Sequence, residues 1–546
     1  MKEPIKICII QMTRIGDIIQ TYRAAMQLKS ENKNVELTLI TRTRFSKHLG
    51  FLLETAFEEI IEFETEDFFD HSKVTLKEVQ LRLSCFLSDI KKHGFQLVIN
   101  LSFTKSSSFL TSIIAKDLKM GLYRNERAQI GINDKWSQFI YSNVMESSLC
   151  PLNLVDIYKG ILGAKETDIT HFKTPKNKVI TVHPFASSHK KSWGSAKWSE
   201  VLYQLLQNDQ EIEINIVGAT SDTDLADRIM NNSVLKIFNK RIHNHVGINT
   251  IEDTFNLLSN SQLFIGHDSM VSHLAGLLRM PSVVLSLGTV RPHETTPYND
   301  RVINLSPKNG CFPCNPEQSC ELLPCHNSLN FQVVTSIVEN ILKQKEFDSS
   351  TLLEGLSPLH IGNTNIFKTS FDDAGLRLTE VSGNDNSTYD IFRTYYRMIW
   401  SYFFQNIEVS GGTPQISQVS AKELSHHLEG IKHLFELYNH GFQFCDRILI
   451  ESEKDSPSVS KIQDTVGKLA EIDDLVMMTK KAYPYLSPIA DFFFVHKANA
   501  SGSNIIEITN NHLIAFHEAK NITAILNDLL QKTVGPRVSS NEIQEV

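Results

Sequence analysis

The feature that most constrains the fold is a repeated alternation of short β-branched runs with longer segments of helical spacing. The runs lie at 5–10, 35–40, 97–101, 179–182, 212–217, 263–265 and 283–287. Each is followed by enough chain for a helix, and such alternation predicts parallel sheets covered by helices. Because the series is too long for one sheet, we expect an α/β fold of two doubly wound, Rossmann-like lobes facing a cleft.

The same patterns predict where the domains divide. A polar, Pro-containing stretch near 170–178 precedes the predicted strand at 179–182. This boundary predicts an N-terminal lobe at 1–172 and a second lobe at 173–345. Residues 346–389 are rich in Ser, Gly, Asn and Asp and are interpreted as a linker. Beyond them, apolar residues at helical spacing predict a mainly α-helical domain over 390–546, whose role the sequence does not indicate.

The amino-acid composition limits the binding partners and the cellular location that we expect for the protein. The chain has 546 residues, 41% hydrophobic and 21% charged, with a formal net charge of -8, which argues against nucleic acid as a partner. No apolar run approaches the ~18 residues that span a bilayer, and no secretory leader is apparent. Four of the eight cysteines are scattered along the chain. We therefore expect a cytoplasmic protein with at most peripheral membrane contact.

The first candidate site residue is Asp17, which follows the first predicted strand and Gly16 at the start of a helix. An acid in this position is stabilised by the free backbone amides and the helix dipole, so it is ionised. An ionised carboxylate at the mouth of a cleft can accept a proton from an attacking hydroxyl. The alternative is a helix cap, because Asp is among the preferred capping residues.

A second candidate segment follows the strand at 263–265. The amides at the start of the next helix and the hydroxyl of Ser269 are suited to a diphosphate, with Asp268 capping the helix. In the alternative interpretation, Asp268 only caps the helix and His273 packs in the core. A third segment, after the strand at 179–182, contains Lys191, which either neutralises phosphate charge or is solvated.

Four cysteines lie close together in a proline-containing loop at 311–325. Their spacing permits a tetrahedral structural site for zinc or iron, with no open position for substrate. The alternative is a set of thiols that are reduced or partly linked as disulfides. The four residues are Cys311, Cys314, Cys320 and Cys325.

Taken in order, these segments resemble the heptosyltransferases of glycosyltransferase family 9 over roughly the first 340 residues. The motifs that carry the resemblance are Arg14-Ile15-Gly16-Asp17, His183-Pro184, Lys191-Ser192-Trp193, Val217-Gly218-Ala219, Asp268-Ser269, His273-Leu274-Ala275 and Pro297-Tyr298. The resemblance implies the two-lobed GT-B fold and inversion at the anomeric carbon. It also implies that no catalytic metal is used and that heptose comes from an ADP donor.

The resemblance also implies roles for individual residues. Asp17 is the base, Lys191 contacts donor phosphate, and the turn from Asp268 through Ser269 to Met270, near His273, cradles the diphosphate. Asp222 or Asp224 contacts the donor ribose. The two residues also form an acid-x-acid pattern, which metal-dependent glycosyltransferases of the other major fold use to bind a divalent cation. The family usually has glycine where Met270 and Phe185 stand, so we expect a difference in phosphate approach or in the sugar selected.

The acceptor is less constrained. The resemblance favours a hydroxyl of a lipopolysaccharide core, reached at the inner face of the membrane, with a protein acceptor or another nucleotide-sugar donor as alternatives. A non-catalytic nucleotide-sugar-binding scaffold is a further alternative, although such a module has no need of a base. In the last domain, aromatic residues around Tyr395, Trp400 and Phe404 either rest on a membrane surface or form a core.

Overall fold

The computed structural model describes residues 3–64, 75–116, 118–145, 149–165, 175, 177–343, 349–382, 387–409 and 418–534. The chain forms two compact units. The first, here called the α/β unit, comprises Met1–Ile130 and Leu152–Asn384, and the second, the helical unit, comprises Gly131–Pro151 and Asp385–Val546.

The two sheets contain strands with the following bounds: β1 Ile5–Ile10, β2 Val35–Thr41, β3 Glu59–Glu62, β4 Leu97–Asn100, β5 Leu118–Arg124, β6 Ile130–Ile132, β7 Val179–His183, β8 Glu213–Ile216, β9 Ile242–Asn244, β10 Leu263–His267, β11 Ser282–Leu285, β12 Val302–Pro307, β13 Thr364–Asp372 and β14 Gly375–Glu380.

The helices have the following bounds: α1 Ile15–Glu31, α2 Thr43–Ser46, α3 Gly50–Leu53, α4 Leu76–Lys92, α5 Lys105–Ile114, α6 Lys135–Phe139, α7 Leu154–Leu162, α8 Ser195–Asn208, α9 Thr223–Met230, α10 Ile251–Ser259, α11 Met270–Leu277, α12 Pro292–Thr295, α13 Pro324–Ser328, α14 Phe331–Lys343, α15 Ser349–Leu352, α16 Pro358–Ile361, α17 Thr388–Gln405, α18 Gln418–Ser452, α19 Val459–Ala482, α20 Ser487–Ala498 and α21 Ile505–Val534. A π-helical turn at Ile140–Met145 follows α6, and 3-10 turns lie at Thr220–Asp222, Lys236–Arg241 and Pro484–Leu486.

The first sheet has the strand order β3-β2-β1-β4-β5-β6. Its inner strand β1 pairs in parallel with β2 and β4, with Ile10 opposite Ile40 and Asn100. Cys8, Ile9 and Ile10 are buried, as expected of a continuous apolar run in a parallel sheet covered on both faces. The carboxyl end of β1 therefore opens directly onto the start of α1, where Asp17 lies.

The second sheet has the order β14-β13-β12-β11-β10-β7-β8-β9. Strands β7 to β12 pair in parallel, which confirms the second doubly wound lobe, and β10 lies between β7 and β11. Because the carboxyl ends of parallel strands meet at one edge, the segments after β7 and β10 come together there.

The predicted linker over 346–389 is wrong for most of its length. It contains α15, α16 and the hairpin β13–β14, and β13 pairs antiparallel to β12 at the edge of the second sheet. Apolar side chains at alternate positions, among them Phe371 and Leu376, pack with Val155 and Tyr298. The sequence did not indicate these strands because the segment around them is rich in polar residues, which hides the alternation of apolar side chains. Residues 346–348 and 383–386 of the predicted linker lie outside the described residues.

The helical unit has an aromatic core that includes a segment from the N-terminal half of the chain. Trp136 stacks on Phe404 with ring centroids 4.4 Å apart, and Phe139 lies edge-on to Trp400 at 5.2 Å. Trp400 is fully buried, so the aromatic stripe of α17 forms a core, as one of the two alternatives predicted. Residues 131–151 belong to this unit and not to the N-terminal lobe, because these rings find their partners in α17.

Among the described residues, no helix combines the length and the apolar character that crossing a membrane requires.

Candidate active site

Residues from three strand ends of the α/β unit converge around His273. The imidazole is 8% exposed, and burial lowers its pKa below the ordinary value. The charges of Asp268 and Asp17 act in the opposite direction, and the charge of Lys191 reinforces the effect of burial. Asp17, Lys191 and Asp268 therefore lie within electrostatic reach of one ring, although they are far apart in the sequence.

Asp17 is the third residue of α1 and its carboxylate reaches back to the start of the helix. Its Oδ2 atom accepts a hydrogen bond from Thr13 Oγ1 at 2.8 Å and another from the Arg14 backbone N–H at 3.2 Å. Its Oδ1 atom accepts none from the described residues. The capping interpretation is therefore correct for one oxygen, while the other remains available to a ligand.

Gly16 and His273 bring the two lobes into close contact. A Cβ atom on Gly16 would lie 3.2 Å from Cδ2 of His273, which is tighter than ordinary van der Waals contact. The Nε2 atom of His273 lies 3.7 Å from Oδ1 of Asp268. The absence of a side chain at Gly16 thus allows Asp268, His273 and Asp17 to share one site.

The turn before α11 contains one buried hydroxyl that has no partner among the described residues. Asp268 Oδ2 accepts from Thr295 Oγ1 at 2.8 Å, which fixes the carboxylate. Ser269 is the N-cap residue, and its Oγ atom is buried without a hydrogen-bond partner among the described residues. Ser272 Oγ instead closes the cap, accepting from Ser269 N at 3.1 Å and donating to Ser269 O at 2.7 Å. Together with the first-turn amides that begin at Met270, the Ser269 hydroxyl forms an anion-binding arrangement.

The two adjacent lysines after β7 have different surroundings. Lys190 is 9% exposed, and its Nζ donates to the backbone oxygens of Pro316 and Gln318 in the cysteine-rich loop. Lys191 is half-buried; its backbone N–H donates to Ser188 O at 3.0 Å, but its side chain forms no hydrogen bond or ion pair with any residue that the structure describes. Lys190 therefore has a structural contact, whereas the charge of Lys191 is available to a ligand.

His267, at the end of β10, is a site residue that the sequence interpretation missed. Its Nε2 atom accepts from the Trp193 backbone N–H at 3.0 Å and from the Trp198 indole at 3.3 Å. Burial lowers the pKa of His267 to about 3, so the ring is neutral and able to accept both bonds. The residue thereby attaches the lysine-bearing loop to the strand that ends at Asp268. A histidine inside an otherwise apolar strand was the available signal.

The two acids after β8 do not form a cation site. Asp222 Oδ2 accepts from Ala219 N at 2.9 Å and so closes the turn, while Asp224 is exposed on the first turn of α9. Phe185 is 1% exposed, and a Cβ on Gly218 would lie 2.8 Å from its ring. Phe185 therefore lies in the core.

The metal site predicted at the cysteine cluster is not present as a ligand set. All four thiols are free, and in the described parts of the chain no group of three or more His, Cys, Asp or Glu side chains has the arrangement to hold a metal ion. Burial raises the pKa of Cys314, and the nearby Cys325, Cys311 and Cys320 raise it further. The thiols are near one another but do not converge on a common centre, which agrees with the reduced alternative.

Two doubly wound lobes, with an acid after the first strand and an anion-binding turn after β10, form a GT-B-like α/β fold. Residues 85–324 match the model of glycosyltransferase family 9 (heptosyltransferase). Residues 85–324 are therefore a glycosyltransferase domain similar to family 9, which confirms the resemblance seen in the sequence. The matched range contains Lys191, Asp222 and Asp268 and begins after Asp17.

No curated protein matches the sequence significantly. Among solved structures, ADP-heptose lipopolysaccharide heptosyltransferase II from E. coli is 14% identical, with a TM-score of 0.44 and with 62% of this chain and 98% of that chain covered. The E. coli heptosyltransferase WaaC with ADP is 15% identical, with a TM-score of 0.45 and 62% and 100% covered. The iron-containing dodecameric glycosyltransferase TibC from enterotoxigenic E. coli is 13% identical, with a TM-score of 0.37 and 62% and 77% covered.

Proposed function

We propose that the protein is an inverting, metal-independent glycosyltransferase that moves heptose from ADP-heptose to a hydroxyl of a lipopolysaccharide core. The observation that supports this proposal most directly is the position of His273, whose Nε2 lies 3.7 Å from Asp268 Oδ1 and whose Cδ2 lies 3.2 Å from the Cβ position of Gly16, next to Asp17. Such a displacement needs a base, a cation and an anion-binding turn. Among the described residues, the Asp17 Oδ1 atom and the Lys191 side chain have no partner, and Asp268–Met270 forms the turn.

On the donor side, the turn Asp268–Met270 binds the diphosphate. The Ser269 hydroxyl, buried and without a partner among the described residues, donates to a phosphate oxygen, and the first-turn amides of α11 add further donors. Lys191 supplies the positive charge. Because these donors are in place before reaction, one of them is worth about 3 kcal/mol to a transition state in which negative charge moves onto the leaving diphosphate.

On the acceptor side, Asp17 is the base. Its Oδ1 atom takes the proton of the acceptor hydroxyl while the hydroxyl oxygen forms a bond to the anomeric carbon. The bond from that carbon to the diphosphate oxygen breaks, and the nucleoside diphosphate leaves with the electron pair. Since the nucleophile enters opposite the leaving group in a single step, the configuration at the anomeric carbon inverts. The proton on Asp17 is then returned to solvent.

The nucleoside is held by the second lobe. One oxygen of Asp222 accepts from the Ala219 amide, and Asp224 is exposed two residues further along. The proposal assigns the ribose contact to this pair. A charge neutralised by Lys191 and by backbone amides has no need of a divalent cation, so turnover should persist in the presence of EDTA.

The test is release of nucleoside diphosphate from purified protein given ADP-heptose, ADP-glucose, UDP-glucose or GDP-mannose, with deacylated lipopolysaccharide core lacking heptose as the acceptor. We expect ADP release with ADP-heptose, and an inverted anomeric signal in the product by NMR. Asp17→Asn should abolish turnover and leave the donor Kd unchanged. Asp227→Asn, an exposed acid on α9, is the matched control. Normal turnover in Asp17→Asn would refute the role given to Asp17.

A further inference from the structure

The hydroxyl of Thr13 lies between two hydrogen-bond acceptors. Its Oγ1 atom is 2.8 Å from Asp17 Oδ2 and 2.6 Å from Gln11 Oε1. A threonine hydroxyl has one proton, whereas an ionised carboxylate and an amide oxygen only accept. In any one state, therefore, Thr13 donates to one of these two atoms and not to both.

The orientation of the Gln11 amide is fixed by its neighbours. Its Nε2 atom donates to Thr21 Oγ1 at 3.1 Å, and its Oε1 atom receives the hydroxyl of Ser102 at 3.1 Å. The Ser102 oxygen already accepts from the Met12 backbone N–H at 2.7 Å, so its own proton is directed to Gln11. Gln11 and Ser102 are both fully buried, which keeps this arrangement out of water.

We propose that Thr13 is a positioning residue whose hydroxyl proton moves between Asp17 and Gln11 as Asp17 gains and loses its proton during glycosyl transfer. While Asp17 is ionised, a charge-assisted bond from Thr13 to Oδ2 is the stronger of the two, and Ser102 alone satisfies Gln11 Oε1. Once Oδ1 has taken the acceptor proton, Oδ2 is a weaker acceptor, and the Thr13 proton turns to Gln11 Oε1.

This arrangement has a consequence for the reactive oxygen. Thr13 and the Arg14 amide hold Oδ2, so the carboxylate plane is fixed with Oδ1 as the atom that meets the acceptor. Because Gln11 Oε1 can accept from the same hydroxyl, Thr13 keeps a hydrogen bond when it turns away from Oδ2. The inference rests on the proposed role of Asp17 as base and concerns how that base is held.

The test uses ADP release from ADP-heptose in the full chain, measured across pH. Thr13→Val, which replaces the hydroxyl with a methyl group, should lower kcat on the order of tenfold to a hundredfold with an unchanged donor KM. The acidic side of its pH–rate profile should move to higher pH by about one unit, because ionised Asp17 loses the hydrogen bond from Thr13. Thr13→Ser should restore both kcat and the pH profile.

Gln11→Met supplies an opposite prediction. Without Gln11 Oε1, the Thr13 hydroxyl donates only to Asp17. The acidic side of the pH–rate profile should therefore move to lower pH. A shift in the same direction as that of Thr13→Val would overturn the proposed switch. If Asp17→Asn is inactive and both Thr13→Val and Thr13→Ser show wild-type kcat and pH profiles, the positioning role of Thr13 is wrong. The role of Asp17 as the base still stands in that case. If Asp17→Asn is active, the proposed function itself fails.

Discussion

Cδ2 of His273 lies 3.2 Å from the position that a Cβ atom would take on Gly16. Gly16 belongs to the first turn of α1 in the first lobe, and His273 to α11 in the second. A glycine inside a helix is costly by about 1 kcal/mol relative to alanine, so local helix preference does not explain its presence. The explanation is steric, since the imidazole occupies the space that a side chain would need.

Gly16→Ala should therefore lower kcat/KM about tenfold, because a methyl group in a packed contact forces neighbours apart. Steady-state ADP release measures this effect. Gly467→Ala, in α19, has nothing within 4 Å of the added Cβ and is the matched control. In a His273→Ala background the Gly16 substitution should cost less than in the wild type, and equal costs would contradict the steric explanation.

The two adjacent lysines should separate binding from stability. Lys191→Met removes a charge with no protein partner in the described chain and should raise the donor KM about tenfold without changing Tm. Lys190→Met removes the donor to Pro316 and Gln318 oxygens and should lower Tm by a few degrees. Thermal unfolding and donor titration of both variants decide the assignment, and an exchange of the two effects would overturn it.

Ser269 and Ser272 give a second matched pair. Ser269→Ala removes a buried hydroxyl without a partner in the described chain, so donor affinity should fall about fivefold to tenfold while Tm stays equal or rises slightly. Ser272→Ala removes both cap bonds of α11 and should cost about 1 kcal/mol of stability. Calorimetric donor titration beside thermal unfolding measures the contrast. A lower Tm with unchanged affinity for Ser269→Ala would contradict the anion-binding role.

Glu294 should make stability depend on pH. Burial raises the pKa of this carboxyl to about 8 from 4.5, although Arg291 acts in the opposite direction. Between those values the folded chain keeps a proton that the unfolded chain has lost. The contribution is therefore fully present below pH 4.5 and is lost as pH rises through about 8.

Glu294→Gln stays neutral throughout, so its Tm relative to wild type should be higher at about pH 9 than at about pH 5. Glu252→Gln, at an exposed position on α10, should show no such trend. Thermal unfolding of the three proteins in matched buffers measures the difference, and a relative Tm that is constant with pH would disprove the assignment.

Strands buried on both faces could be predicted because most of their residues are apolar. β1, β7 and β10 are of this kind. β5 and the hairpin β13–β14 mix polar and apolar residues, and only pairing with neighbouring strands makes them strands. The core of the helical unit could not be predicted from local sequence either. Nothing near Trp136 in the sequence indicates that its ring stacks on Phe404, because that contact joins residues far apart in the chain.

For the site, the sequence by itself determined that Asp17 opens a helix after an apolar strand and that Asp268 and Ser269 open another, since strand, turn and helix starts are local properties. Only the tertiary structure decided which of two adjacent lysines is free, which oxygen of Asp17 is held by Thr13, and that Gly16 leaves room for His273. These choices depend on contacts between distant segments, and packing, not local preference, sets such contacts.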